Sequence, residues 1–220
     1  GWVRVNGRVV ESPQTRVTDE KIELDRDASL LDSVPMTVLL HKPAGFDWSN
    51  ESGAGRKPAL ALLTEASRSR TDRSGVRLLK RHLKDLGSVT PLEFGASGLL
   101  VFTQDFSIHR KLWEDRATVE NEMVVEVAGA VSEAALQALN RPIVVNDRVL
   151  LSAKVSITTQ ANKTTGLRFA VKGSEPGRIA TACERVGLAV VAMKRIRVGR
   201  VPMAGLEPGC WRFLLAHERF

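Results

Sequence analysis

The stretch over residues 92–105 constrains the fold most strongly, because it joins a glycine-containing loop to a short apolar run. Residues 99–103, Leu-Leu-Val-Phe-Thr, predict a buried β-strand. A loop held at the start of a buried strand often carries a reactive side chain. Glu93 is the only carboxylate in this loop, so it is the first candidate for chemistry.

Short strand patterns alternate with short helix patterns along the rest of the chain. Ser132 is a typical helix N-cap and is followed by helical apolar spacing to Leu139. Gly187 is a favoured residue just after a helix, here one over residues 178–186. Further strands are predicted over residues 37–41, 122–127, 144–145, 149–152, 154–159, 166–171, 188–194 and 195–201, and further helices over 59–65, 78–86 and 106–113. This pattern predicts an α+β fold with a mainly antiparallel central sheet and short flanking helices.

The first 30 residues form a separate region in this reading. Asn6-Gly7 is a hairpin turn between two strand patterns, and a third short strand is predicted over residues 21–25. Three short strands bury little apolar surface by themselves, so they need the main domain or a missing partner to rest on. We therefore expect a small segment over residues 1–30 and a main domain over residues 34–220.

The charge of the chain points to a polyanionic partner. Lys and Arg outnumber Asp and Glu by 32 to 25, which gives a net charge of +7 and an isoelectric point near 9.8. Nucleic acid is the first candidate, and the alternative is a soluble basic protein whose cations simply face water. The cations concentrate in two clusters, Arg68, Arg70, Arg73, Arg77, Lys80, Arg81 and Lys84, and then Lys194, Arg195, Arg197 and Arg200. Alternation along a strand would place Arg195 and Arg197 on one face, in position to contact phosphates.

Several other classes of protein are disfavoured. Cys183 and Cys210 do not have the spacing of metal ligands, and the four histidines are scattered, so no metal site is expected. The cysteines are interpreted as reduced and structural. No apolar run is long enough to span a bilayer, and no signal peptide is visible. A cytoplasmic protein that does not enter a membrane is the resulting expectation, and a monomer is assumed because the sequence shows no oligomeric signal.

Five segments in a fixed order resemble the motifs of one family. They are residues 1–24 with their Val-Asn-Gly turn, Lys42-Pro43-Ala44-Gly45 after a strand, residues 92–105, the strand over 122–127, and a C-terminal block of Cys183-Glu184, residues 194–199 and residues 209–212. Together they make the chain similar to the bacterial rRNA pseudouridine synthases that carry an N-terminal alpha-L type RNA-binding domain.

The resemblance implies a central antiparallel sheet crossed by a catalytic cleft. It implies isomerisation of a uridine in structured rRNA, with the target base flipped out and no metal or cofactor. In such enzymes an Asp acts as the nucleophile, a Tyr assists proton removal and an Arg pairs with the Asp.

The catalytic positions depart from the family pattern. Glu93 stands at the position of the Asp, Pro91 at that of an Arg, Ala96 at that of a Thr and Met123 at that of the Tyr, and the chain contains no Tyr. Glu moves the carboxylate by roughly 1 Å, which can cost on the order of 100-fold in rate. Loss of the base costs about another 100-fold. Arg178 opens a segment that has fewer basic residues than its family counterpart.

These residues predict a protein that binds structured RNA, either rRNA or a ribosomal precursor, with weak or lost catalysis and a possible role in ribosome assembly. The alternative is an active pseudouridine synthase that uses Glu93 as its nucleophile, and a third option is a protein-interaction scaffold. Whether the chain is an enzyme is left open. The expected RNA contacts are Lys42, Arg77, Arg81, Arg178, Lys194, Arg195, Arg197 and Arg200.

Overall fold

The computed structural model describes residues 2–10, 12, 14–26, 28, 34–50, 55–145, 148–161, 163–173 and 175–220. The expected boundary between the N-terminal segment and the main domain, at residues 29–33, lies outside the described residues. No helix within the described ranges is both long enough and apolar enough to cross a membrane.

The N-terminal strands form a small antiparallel sheet of their own. It contains β1 (Val3–Val5), β2 (Arg8–Val10) and β3 (Ile22–Leu24) in the order β2-β1-β3. Asn6 and Gly7 have φ angles of 49° and 77°, as the predicted tight hairpin turn requires.

Arg77 joins this small sheet to the main part of the chain. Its Nη1 donates to Asp25 Oδ2 at 2.9 Å, and its guanidinium lies 5.6 Å from the ring centre of Trp2. The N-terminal strands therefore rest on the main domain in part through a cation that the sequence had suggested for RNA.

Among the described residues from 34 onward, the structure has thirteen further strands and three α-helices. In chain order the strands are β4 (Thr37–Lys42), β5 (Phe46–Asp47), β6 (Lys57–Pro58), β7 (Gly87–Ser88), β8 (Ser97–Thr103), β9 (Glu120–Ala128), β10 (Ile143–Val145), β11 (Arg148–Leu151), β12 (Ala153–Gln160), β13 (Thr164–Lys172), β14 (Val190–Val198), β15 (Val201–Pro202) and β16 (Trp211–Phe213). The helices are α1 (Phe106–His109), α2 (Glu133–Leu139) and α3 (Arg178–Arg185). Short 3₁₀ turns cover Ala59–Leu62, Lys80–Leu83 and Arg116–Thr118.

A nine-stranded sheet organises the domain. Its main path runs β12-β13-β9-β14-β8-β4-β16, with β15 added to β14 and β7 added to β8. Among the described strands of this sheet, only β14 and β8 run parallel, and the remaining pairs are antiparallel. The predicted α+β class with a mainly antiparallel sheet is confirmed.

Burial follows the alternation that the sequence shows. Every second residue of β9 faces the interior, whereas all six residues of β4 are buried. A strand that is covered on both faces reads as a continuous apolar run, and one that is covered on a single face reads as an alternating one. The helices α2 and α3 pack their apolar sides, including Leu139 and Ile179, on the half of the sheet that contains β9.

The helix ends at Ser132 and Gly187 agree with the predicted caps, and the structure adds a third cap at Asp105. The Ser132 hydroxyl accepts from the Ala135 N–H at 3.1 Å, and Asp105 caps α1 by accepting from Ser107 and Ile108. Gly187, which follows α3, has a φ of 76°.

Several sequence predictions of local structure are wrong in their extent, among them the helix predicted over 59–65, which is a 3₁₀ turn over Ala59–Leu62. The strands predicted over 188–194 and 195–201 are one strand, β14, because its pairing with β9 continues across Lys194 and Arg195. The helix predicted over 78–86 is reduced to one 3₁₀ turn, since Asp85 has a φ of 53° and the next residues join β8 as β7. The helix predicted over 106–113 is the single turn α1 followed by a π-helical turn over Arg110–Glu114.

Candidate functional site

A small cleft, with a volume of about 30 Å³, opens where β9, β14 and the loop before β8 meet. Its walls include the predicted catalytic positions Glu93 and Met123, together with Pro91, Arg178 and Arg195. The structure thus brings together residues that are separated by up to about a hundred positions in the sequence. The cleft-lining residues include no Tyr, His or Cys.

The structure requires a glycine at position 98, just before the buried run of β8. It lies opposite Arg195 in the parallel β8–β14 pair and has a φ of +114°. A Cβ at this position would lie 2.2 Å from the backbone oxygen of Arg195. Only glycine lets the loop approach β14 so closely.

Arg195 holds the loop from inside the protein. Its side chain is buried, and its guanidinium donates to the backbone oxygens of Leu99 at 2.7 Å, Pro91 at 2.9 Å and Thr90 at 2.7 Å. Burial lowers the pKa of Arg195 to about 10, and the nearby Glu93 carboxylate opposes that shift. The predicted phosphate contact of Arg195 is incompatible with this burial, and the residue is a loop anchor instead.

Lys42 holds the middle of the same loop. Its fully buried Nζ donates to the backbone oxygens of Ala96 at 2.7 Å, Phe46 at 2.9 Å and Pro43 at 3.1 Å. Burial lowers the pKa of Lys42 to about 8. Here too the predicted contact with RNA must be corrected, because carbonyl groups of the protein already surround the ammonium group.

Glu93 reaches across the cleft to the start of α3. Its Oε1 accepts from the backbone N–H of Gly177 at 2.9 Å. Gly177 is the N-cap residue of α3, where N–H groups lack partners within the helix and attract negative charge. No hydrogen bond joins Glu93 to Arg195 within the described residues, although their charges interact. The carboxylate is therefore inside the cleft and serves as a helix cap.

Met123 forms the wall opposite the loop. It pairs in register with Arg195 in the β9–β14 pair and is 4% exposed. A thioether can neither accept nor release a proton at neutral pH, but it packs well against flat ring surfaces. The chemistry expected of an aromatic hydroxyl at this position is therefore missing.

Asn121 is a cleft residue that the sequence reasoning missed. It lies two residues before Met123 on the same face of β9 and is 3% exposed. Its Nδ2 donates to the backbone oxygen of Gly173 at 2.7 Å and to that of Val119 at 3.3 Å. A polar residue within an otherwise apolar alternation, Asn121-x-Met123-x-Val125-x-Val127, was the available signal.

Arg195 and Arg197 were predicted to lie on one face of their strand, but they lie on opposite faces of β14. The register of β14 against β9 shifts between these two residues, so that Arg195 pairs with Met123 and Arg197 with Glu122. Arg197 donates to Glu120 at 2.5 Å and to Glu122 at 2.9 Å on the sheet surface. A β-bulge is the physical reason, since one extra residue reverses the alternation.

The other predicted RNA contacts lie outside the core. Arg178 forms an ion pair with Glu175 at the cleft, and Arg77 is bound to the N-terminal sheet as described above. Arg81 and Arg200 are exposed, and Lys194 is half-buried. Their contacts with RNA remain predictions.

No family model matches the chain. Among curated proteins, it is 24% identical over 221 residues to ribosomal large subunit pseudouridine synthase B of Bacillus subtilis, covering 99% of this chain and 84% of that protein. It is 28% identical over 226 residues to an uncharacterized RNA pseudouridine synthase of Aquifex aeolicus, with the same coverage.

Solved structures give the same fold. A pseudouridylate synthase crystal structure superposes with a TM-score of 0.63 at 17% identity, covering 97% of this chain and 85% of the other. A chain of the archaeal box H/ACA sRNP Nop10–Cbf5 complex superposes with a TM-score of 0.51 at 17% identity, over 76% of this chain and 48% of the other. At these identities the likeness concerns the fold.

Proposed function

We propose that this chain, which is similar to bacterial RNA pseudouridine synthases, binds structured ribosomal RNA with weak or absent isomerase activity. The RNA part of the proposal is supported by the names of the relatives and by the net charge of +7. A cytoplasmic monomer that acts during ribosome assembly would fit such a partner.

The hydrogen bond between Glu93 and Gly177 is the observation that carries the proposal of weak catalysis. A carboxylate that attacks a base or a sugar must be free to approach the reacting carbon within a narrow range of geometry. Glu93 must first give up its bond to the start of α3, and its chain is one methylene longer than that of the Asp in the family motif. Met123 then offers no group to move the proton.

The small N-terminal sheet supports a further part of the proposal. We regard residues 1–30 as part of an alpha-L type RNA-binding domain and residues 34–220 as the synthase-like domain. The hairpin with its Asn6-Gly7 turn is the supporting feature.

Filter binding to an rRNA stem-loop over a salt series tests the RNA part. Affinity should fall steeply with salt, because bound phosphates release counterions. The double variant Arg81→Gln/Arg200→Gln removes two exposed cations and should weaken binding by about 10-fold. The slope of log affinity against log salt concentration should become less steep by about one to two.

The matched control is Arg141→Gln, another exposed arginine that lies outside both basic clusters. It should leave affinity within about 2-fold, since a distant exposed charge contributes little at physiological salt. Affinity that does not depend on salt, or that falls equally in both variants, would overturn the proposal.

An active enzyme that uses Glu93 as the nucleophile is the second candidate. It is favoured by the position of Glu93 in the cleft, close enough to Arg195 for their charges to interact. Carbodiimide mapping of rRNA from a Glu93→Gln strain decides between the two. Pseudouridine that disappears in this strain supports catalysis by Glu93, and an unchanged map supports the first proposal.

A further inference from the structure

The side chain of Glu93 ties two walls of the cleft to each other. Glu93 belongs to the loop before β8, which forms one wall, and its Oε1 accepts from the Gly177 N–H at 2.9 Å. Gly177 immediately precedes α3, whose first residues, Arg178 and Ile179, line a second wall. One hydrogen bond therefore spans from the loop to the start of the helix.

The cleft is closed to anything larger than a water molecule. Its volume of about 30 Å³ is the space that one water fills in the liquid. Met123, which lines it, is only 4% exposed. A cleft in which a reactant is to be handled must first admit that reactant, so one of its walls has to move.

The start of α3 is the wall with the fewest ties. The loop before β8 is anchored from inside by Arg195 and Lys42, each through several hydrogen bonds. Gly177 has a φ of 86°, and no side chain of its own caps the helix. The ion pair of Arg178 with Glu175 lies within this wall and moves with it. The Glu93 carboxylate is thus the polar contact that joins the helix start to the anchored loop.

The strand before this segment stays in place. Gly173 is bound to β9 through its own N–H, which donates to the Val119 oxygen at 3.0 Å, and through its oxygen, which accepts from Asn121 at 2.7 Å. Movement of the helix start therefore leaves the sheet intact. Its cost is the exposure of Ile179, which is 6% exposed in the closed arrangement, so the opened state is a minor one.

We propose that Glu93 is a latch: its bond to Gly177 holds the start of α3 over the cleft, and the cleft opens when that bond breaks. This rests on the proposed function in one respect, because it treats the cleft as the place where a reactant would enter. An Asp at position 93 would be one methylene shorter and would not reach Gly177. The Glu therefore closes the cleft in addition to displacing the carboxylate.

Peroxide oxidation of the methionines, read by mass spectrometry of tryptic peptides, tests the latch. Met123 lines the cleft, whereas Met36, Met193 and Met203 do not, and the four lie in separate tryptic peptides. Glu93→Asp and Glu93→Ala should each raise the oxidation rate of Met123 about 5-fold, the factor by which loss of one hydrogen bond favours the opened state. Glu93→Gln keeps the length and an accepting oxygen, so its rate should stay within about 2-fold of that of the unaltered chain.

Glu184→Ala is the matched control, since Glu184 is an exposed glutamate on the same helix. It should leave the oxidation of Met123 unchanged. The rates are measured again in urea up to about 1 M, where a local opening exposes little new surface and the Met123 rate should hardly respond.

Three results would overturn the latch. They are an unchanged Met123 rate in both Glu93→Asp and Glu93→Ala, an equal rise in Glu93→Gln and Glu93→Asp, and a rise that is shared by all four methionines or that grows steeply with urea. The last result would mean that the whole protein unfolds more often, and the second would mean that the length of the side chain is irrelevant.

Failure of the latch and failure of the proposed function are distinguishable. The filter-binding assay depends on Arg81 and Arg200 at the surface, and the oxidation assay contains no RNA. A chain that binds RNA but shows no latch contradicts this inference alone. A chain that shows the latch but fails to bind RNA contradicts the proposed function alone.

Discussion

The loop before β8 and the supports beneath it differ in chemical character. The supports are two buried cations, Arg195 and Lys42, and each donates to several backbone oxygens of the loop or its surroundings. The side chains that the loop and its neighbours present to the cleft carry no free charged group. The Glu93 carboxylate is hydrogen-bonded as a helix cap, and Met123 is apolar.

This difference shows that holding a loop and carrying out chemistry on it are separable tasks. The hydrogen bonds of Arg195 reach backbone oxygens, which are present whatever side chains the loop carries. Substitutions at Glu93 or Met123 can therefore change reactivity while the loop remains in place. The predictions below test this separation, starting with the largest expected effect.

Removing the guanidinium of Arg195 should have the largest effect. Arg195→Met is expected to lower the free energy of unfolding by about 4 kcal/mol, because three buried carbonyl groups lose their donor at once. Urea unfolding followed by tryptophan fluorescence measures it. Arg200→Met, an exposed change just beyond the same strand, should stay within about 0.5 kcal/mol. Equal losses in both variants would show that Arg195 is not the anchor.

Gly98→Ala should destabilise the protein by about 3 kcal/mol. The new Cβ would lie 2.2 Å from the Arg195 oxygen, at a φ that other residues rarely adopt. Gly95→Ala, in the same loop, meets no heavy atom within 4 Å and should change the unfolding temperature little. If Gly95→Ala proved the more damaging of the two, the close approach of β8 and β14 would not be what fixes the loop.

Lys42 should give the protein a distinctive dependence on pH. Its pKa is about 8 in the folded state and 10.5 when unperturbed, so between these values the unfolded chain binds more protons. Stability contributed by this residue therefore rises with pH across that window, by at most about 1.4 kcal/mol per pH unit.

The measurable quantity is the difference in unfolding free energy between the unaltered chain and Lys42→Met, followed from pH 8 upward. Subtraction removes the titration of groups common to both chains. A difference that stays flat or falls as pH rises would mean that Lys42 keeps its charge easily, and that its burial imposes no cost.

Glu93 should show the smallest effect on stability. Glu93→Ala removes the acceptor for the Gly177 N–H and is expected to cost about 1 kcal/mol. Glu93→Gln retains an oxygen that can accept the same bond, so it should cost less than about half of that. Thermal unfolding compares the two, and a larger loss in Glu93→Gln than in Glu93→Ala would contradict the capping role.

The sheet was predictable from the sequence because its signals are local. Alternation predicted β9, a continuous apolar run predicted β8, and a capping serine predicted α2. The failures lie where distant pairing overrides local preference. Leu79, Leu83 and Leu86 have helical spacing. The helical turn nevertheless ends early, because residues 87–88 pair with β8.

The candidate site was only partly predictable for the same reason. Glu93 and Met123 were found through the family resemblance, and they do meet in the cleft. The burial of Lys42 and Arg195 could not be read from the sequence, because a basic residue in a strand looks the same whether it faces phosphate or carbonyl groups. The bulge between Arg195 and Arg197 has no sequence signal in this chain, and it decides which of the two faces inward.

The parallel contact between β8 and β14 has a consequence for how the molecule assembles. Gly98 and Arg195 are neighbours in space, but about a hundred residues are synthesised between them. When only the first half of the chain has left the ribosome, the loop before β8 is present but Arg195, which binds its carbonyl groups, is not. The cleft cannot be completed before β14 has been synthesised, and a chain interrupted before β14 would leave the carbonyls of Thr90, Pro91 and Leu99 without the guanidinium of Arg195.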